Sequence, residues 1–240
     1  MRMQLNRPEA YVTASEEQII AAHLDPEGKR ILELGCGGAW MTRLLAERFA
    51  PASLLATEVD QAQLEKNLAI ADLPRVQFRY GGAEAIDAPD ASFDLVFLFK
   101  SFHHVPADRM ATALREIRRV LVPGGMAYFS EPVYWGDFND VMRLFHDEER
   151  VRRLAFETLR EAVDSGHWEL EKEVFFQSEG VYESWDRFEQ RFIRVTHTEH
   201  DLSPALLAQV KAAFMAHMQP GGARFLKPHR VDLLRRPATG

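Results

Sequence analysis

Apolar residues along this chain switch between two periods. Ile31, Leu32 and Leu34 make a short apolar run, and beyond the glycines that follow, Met41, Leu44, Leu45 and Phe49 recur at helical spacing until Pro51. The pattern predicts a strand, a glycine turn and a helix. It then repeats: "SLLATEV" predicts a second strand, Leu64 and Leu68 mark a helix ending before Pro74, "VQFRY" predicts a third strand and "FDLVFLF" a fourth. The unbroken apolar character of that fourth run fits a strand buried on both faces, as in a parallel sheet. Met110, Leu114, Ile117 and Leu121 form the next helical stripe, and "LVPGGMAYFS" reads as a proline–glycine turn feeding a fifth strand. Strands alternating with helices predict a doubly wound, mostly parallel α/β sheet, with ligands just beyond the carboxyl ends of the strands.

After Pro132 the texture changes. Phe138, Val141, Met142 and Phe145 form one amphipathic stripe, and Val151, Leu154, Ala155, Thr158, Leu159 and Ala162 form another. "EKEVFFQS" predicts a strand, and Trp185, Phe188, Phe192 and Val195 a helix. Ser203 before Pro204 starts a helix whose stripe runs through Leu206, Leu207, Val210, Phe214 and Met218, and "HRVDLL" predicts a last strand. Segments 137–166 and 182–222 are thus helical elaborations that either cover the ligand edge of the sheet or pad its core. One domain over residues 1–240 is expected, as the length falls in the range of one large domain.

Charge narrows the choice of partner. With 29 lysines and arginines against 36 acids, the net charge of −7 argues against a nucleic-acid backbone as main partner. The polar amino-terminal stretch lacks the apolar core of a secretory signal, no run is long enough to span a bilayer, and the single cysteine, Cys36, fits a reducing compartment. A cytoplasmic protein without membrane attachment is expected; its oligomeric state is not legible.

The glycine turn "LELGCGGAW" offers backbone N–H groups to a polar ligand. A nicotinamide dinucleotide fits poorly, because Trp40 stands where the third glycine of G-x-G-x-x-G belongs, with an indole expected to obstruct close helix–strand contact. Glu33 beside the turn would repel a pyrophosphate but attract an ammonium group. Glu58, at the end of the second strand, can accept hydrogen bonds from both hydroxyls of a ribose. An adenosine with an amino-acid tail satisfies all of these.

From Tyr11 to Pro132 the chain resembles the class I S-adenosylmethionine (SAM)-dependent methyltransferases, with a Rossmann-like fold and a small-molecule acceptor. "LELGCGGA" resembles the first cofactor motif, "TEVD" the acidic loop, "GGAEAIDAPDASFDLVFLFKSFHHV" the adenine loop and fourth strand, and "REIRRVLVPGGMAYFSEP" the helix and turn before the fifth strand. The resemblance implies that Gly35, Cys36 and Gly37 lie along the methionine part of SAM, with Glu33 near its ammonium. Glu58 would hold the ribose, Ala83 and Glu84 would contact adenine, and Lys100 and Ser101 would lie near the sulfonium. Tyr11 either closes over the cofactor or packs a terminal helix. Gly82 departs from the pattern, standing where many members have an aspartate for the adenine amino group, and Ala39 replaces a third glycine. The product would be S-adenosylhomocysteine. A SAM-binding protein that transfers another group, or that senses without turnover, is the alternative.

His103 and His104 follow the fourth strand, where a general base or an acceptor-positioning group could stand; both are catalytic candidates with a structural reading beside them. Glu131 ends the fifth strand and Tyr134 and Trp135 follow it; these could line an acceptor pocket, or Glu131 could anchor the next helix. No metal is expected: His146 follows Asp140 on a striped helix and precedes "DEE", and His197 and His200, three residues apart, have no further cysteine to complete a set. Arg115, Arg118 and Arg119 are expected to face solvent.

Overall fold

A computed structural model describes residues 2–194 and 202–238. Val195, His197 and His200 lie outside the described residues. In chain order the elements are β1 (Val12–Thr13), α1 (Glu16–His23), β2 (Arg30–Leu34), α2 (Trp40–Arg48), β3 (Ser53–Glu58), α3 (Gln61–Leu68), β4 (Val76–Tyr80) and β5 (Phe93–Phe99). There follow α4 (Met110–Val120), β6 (Leu121–Pro132), α5 (Asp137–Met142), α6 (Glu149–Asp164), β7 (Glu169–Tyr182), α7 (Trp185–Phe192), α8 (Pro204–Met215), β8 (Met218–Gln219) and β9 (Gly222–Arg235).

One sheet runs in the order β1-β7-β9-β6-β5-β2-β3-β4, with β8 on β9. The half from β6 to β4 is parallel, whereas β9 runs antiparallel to β6, β7 and β8. Alternation along the strands decides what each face holds. Leu32, Leu34, Val96, Leu98, Ala127 and Phe129 pack against α4 and α6, and Ile31, Leu95, Phe97, Tyr128 and Val231 against Ile19, Ile20 and Leu45 from α1 and α2. Among the described residues no helix is long and apolar enough to cross a membrane.

Three elements differ from the sequence reading. The "LVPGG" stretch is an irregularity inside β6 rather than a turn before it: pairing jumps from Phe93↔Leu121 to Leu95↔Met126, and Gly124 takes φ +78°. β7 and β9 are each 14 residues long, because their mutual pairing carries Ala223 and Pro228 into the ladder, and Gly222 pairs with Gln219 of β8, despite the weak strand propensity of glycine and proline. Since Pro132 pairs with His229, the part of this ribbon over residues 177–182 and 222–228 projects past the carboxyl edge of the parallel strands, by about 20 Å at the usual strand rise.

The helices after β6 divide between two places. α6 lies on the sheet face with α4 through Ala155, Phe156 and Leu159. α5, α7 and α8 gather on the projecting ribbon around Val141, Tyr182, Phe188, Val210, Phe214 and Phe225.

Candidate functional site

The glycine loop is held in place before any ligand arrives. Gly35 takes φ +71°, and a Cβ there would stand 2.8 Å from Ser101 Cβ, so only glycine fits both the backbone and the space. The N–H groups of Gly35 and Cys36 donate to Thr57 O at 3.0 and 2.9 Å, which suspends the loop from β3. Ser101 Oγ donates to Leu34 O and Asn67 Nδ2 to Gly37 O, each at 2.8 Å. Glu58 closes the set: its carboxylate accepts from Gly37 N at 2.7 Å and from Val59 N and Asp60 N at 2.9 Å. Trp40 does not obstruct the helix–strand contact. It is 85% exposed at the first turn of α2, while Ala39, at φ +60°, makes the close approach instead.

Two acids flank this loop in unlike surroundings. Glu33 is 1% exposed and accepts from Thr42 Oγ1 at 2.6 Å. Burial pushes its pKa up to about 8 against the favourable Thr42 bond, with help from the charge of Glu58. A cation entering there would restore its charge. Burial, followed by the charges of Glu33 and Glu58, pushes the Cys36 thiol up to about 12, so this cysteine is no nucleophile at neutral pH.

The adenine-loop candidates lie beyond β4. Ala83 is buried, and the Glu84 carboxylate fills the space over Gly82, where a Cβ would meet Oε2 at 2.5 Å. The missing aspartate at Gly82 is thus matched by a carboxylate two residues on. Arg119 does not simply face solvent: it donates to Ile86 O at 2.9 Å and Ala88 O at 2.8 Å and pairs with Asp90 and Glu116, bracing this loop from α4. Lys100 turns out of β5 with φ +55°, its N–H bonded to Ser130 O at 2.7 Å, and leaves an exposed ammonium at the edge.

Tyr11 is not brought to this cluster. It precedes β1, five strand spacings from β2, or about 24 Å across the sheet. Its ring packs on Trp135 and Phe175 at 5.2 and 5.6 Å, and its hydroxyl donates to Asn6 Oδ1 at 2.8 Å. The tyrosine secures the amino-terminal arm.

His103 stands on the face of the sheet that carries α4 and α6. It is 4% exposed, its Nδ1 is bonded to Glu131, and Glu131 also accepts from Phe102 N at 3.0 Å. Burial opposes its charge, yet Glu131 and Glu148 raise its pKa to about 9. The pairing with two carboxylates favours the imidazolium, which weighs against His103 as a base at neutral pH. His104 is exposed with its ring 4.1 Å from that of His103, and desolvation and the neighbouring imidazolium lower its pKa.

Sequence reasoning missed a polar group on the other face. Tyr128 donates to Glu16 at 2.6 Å, and His229, stacked on Phe176, shares a 2.9 Å bond with Ser178. Burial raises the pKa of Glu16, and burial with the charges of Lys100 and Lys227 keeps His229 neutral. Glu16 opens a helix with a capping box, which reads as surface, and His229 shows its inward face only through its alternation with Val231 and Leu233.

Known proteins share this architecture. Residues 31–125 match the family model of a methyltransferase domain. A fatty-acid O-methyltransferase of Mycolicibacterium smegmatis is 33% identical over 111 residues, 46% of this chain and 40% of that protein. The 27-O-demethylrifamycin SV methyltransferase of Amycolatopsis mediterranei is 35% identical over 134 residues, 53% of this chain and 46% of its own length. The match thus spans less than half of either relative. A solved structure of a candidate methyltransferase from Bacillus halodurans C-125 has the same fold, with TM-score 0.62, 16% identity, and coverage of 93% of this chain and 100% of that one. The glycine loop, Glu33, Glu58 and the parallel strands β2 to β5 all lie in the segment 31–125 that is similar to a methyltransferase domain, on a fold shared with a solved methyltransferase-like structure.

Proposed function

We propose that this chain is an enzyme that transfers a methyl group from SAM to an oxygen of a small, largely apolar acceptor. The observation that carries the reading is the preformed loop from Gly35 to Gly38, bounded by Glu33 and Glu58 at the carboxyl ends of adjacent parallel strands. The family's cofactor fits these residues. The bare backbone at Gly35 and Gly37 admits a chain pressed flat against it, Glu33 offers a charge for an ammonium, Glu58 keeps lone pairs for ribose hydroxyls, and Ala83 with Glu84 borders an adenine.

When bound, SAM supplies a methyl group on a sulfonium whose sulfur leaves as neutral S-adenosylhomocysteine. The work of this chain is then to hold the acceptor oxygen in line and dry, a contribution of about 7–11 kcal/mol in favourable cases. Lys100 and Ser101 border the methyl-transfer position, and Glu16, Tyr128 and neutral His229 supply polar contacts for the acceptor. His103, paired with Glu131, serves position rather than proton transfer in this reading. The whole chain acts as one unit in which the projecting ribbon with α5, α7 and α8 covers the acceptor. Oxygen as acceptor atom is supported by relatives named fatty-acid O-methyltransferase and ubiquinone biosynthesis O-methyltransferase.

Thermal shift with SAM, S-adenosylhomocysteine and NAD tests the cofactor half. A ligand at one hundred times its dissociation constant stabilises by about 2.7 kcal/mol, so the first two are expected to raise the melting temperature and NAD to leave it unchanged. The reverse pattern refutes the reading. Transfer of labelled methyl from SAM to hydroxyl- and carboxyl-bearing lipids tests the acceptor half.

A further inference from the structure

The side chains left unused by the cofactor reading converge between the turn at Phe102–His104 and the segment that joins α5 to α6. His103 Nδ1 donates to the Glu131 carboxylate, which leaves its Nε2 directed at Glu148 Oε1, 3.6 Å away and too far for a hydrogen bond. The same Glu148 oxygen meets Nε2 of His146 at 2.9 Å. One donor atom each from His103, His104 and Glu148 lies within 4.8 Å of the others. Zinc bonds to nitrogen and oxygen of about 2.0–2.2 Å imply ligand atoms roughly 3.3–3.6 Å apart in a tetrahedron. The cluster needs only side-chain adjustments of an ångström or so to reach that spacing.

We propose that His103, His104 and Glu148 form a centre for a divalent transition metal, zinc being the ion best matched to two imidazoles and a carboxylate with a fourth position left to water. The surroundings favour it over an accidental cluster. Glu131 fixes the tautomer of His103, the contact that orients metal-bound histidines, and Arg152 binds Glu148 Oε2 at 2.6 Å, which turns Oε1 inward. Exposed His104 gives an ion its entrance. Bound there, the ion ties the α5–α6 segment to the turn that follows Lys100 and Ser101, a clamp between the acceptor cover and the strand end. The competing occupant is a proton shared between His103 and Glu148.

The test uses tag-free full chain stripped with chelator, titrated with zinc alone by calorimetry and with cobalt followed by visible absorption. One ion per chain is expected, with His104→Ala and Glu148→Gln each weakening zinc by about tenfold to a hundredfold and altering the cobalt bands. A His197→Ala/His200→Ala variant is expected to bind like the parent. Absence of binding, or binding insensitive to His104→Ala and Glu148→Gln, overturns the proposal. Because His104 is exposed, its variant decides the matter even if Glu148→Gln fails to fold.

Discussion

The glycine loop and the projecting ribbon are built on opposite principles. The loop is held by directed hydrogen bonds, accepted by Thr57 and Glu58 and donated by Asn67 and Ser101, each with little tolerance in length or angle. The ribbon and its helices are held by aromatic packing, with Phe138, Tyr182, Phe188, Phe192, Phe214 and Phe225 in ring contact. Directed bonds demand particular residues at particular spacings, whereas packing asks only for apolar volume of the right shape. A cofactor that never changes suits the first, and an acceptor that differs between relatives suits the second.

The largest effect expected from this contrast is on the ribbon. Phe214 is fully buried there, and Phe214→Ala is expected to cost about 3–5 kcal/mol of stability, read by urea unfolding. Affinity for SAM in the folded variant should stay within about threefold of the parent by calorimetry. A loss of SAM affinity matching the loss of stability would mean that the two regions are one energetic unit, and the contrast would fail.

Glu58→Ala comes next, and it acts the other way. Removing a charged acceptor from the loop amides and the ribose is expected to weaken SAM and S-adenosylhomocysteine by about 1.5–3 kcal/mol, roughly ten- to a hundredfold. Exposed Glu179 on the ribbon is the matched control, and its alanine variant should bind as the parent does. Equal losses would remove the ribose assignment.

The same contrast explains what the sequence made legible. Parallel strands buried on both faces announce themselves as apolar runs, and the glycines, Glu33 and Glu58 stand out because local geometry dictates them. The length of β9 was hidden, since "GARFLKP" gains its strand conformation from β7, far away in sequence. The sequence could not choose between the two readings of Tyr11 for a similar reason: the arm that carries it pairs with β7 through Val12, at the far edge from the loop, which favours packing over closure. His103 and His104 meet Glu148 only through the fold, as nothing in their spacing joins a turn after β5 to a segment after α5. Contacts that close late in sequence leave no local mark.

The smallest expected effect concerns proton balance at Glu33, where stability and binding should respond to pH in opposite directions. Its folded pKa, about 8, lies above the ordinary carboxylate value of about 4.3. Without ligand the folded state therefore binds the proton more tightly than the unfolded chain. The resulting stabilisation relative to the ionised buried group is fully present below about pH 4.3 and declines as pH rises toward 8. An ammonium beside the carboxylate reverses the preference, so binding below pH 8 must expel a proton. SAM affinity should then rise with pH, by at most about tenfold per unit, and flatten above pH 8. Glu33→Gln keeps an acceptor for Thr42 but no ionisable group. It should flatten the contribution of this site to both curves, melt about 2–4 °C higher than the parent at pH 8, and bind SAM more weakly there. Calorimetry across pH 6–9 in two buffers of different ionisation enthalpy reads the proton release directly. A parent and variant with the same proton count on binding would remove Glu33 from the ammonium site while leaving Glu58 and the loop untouched.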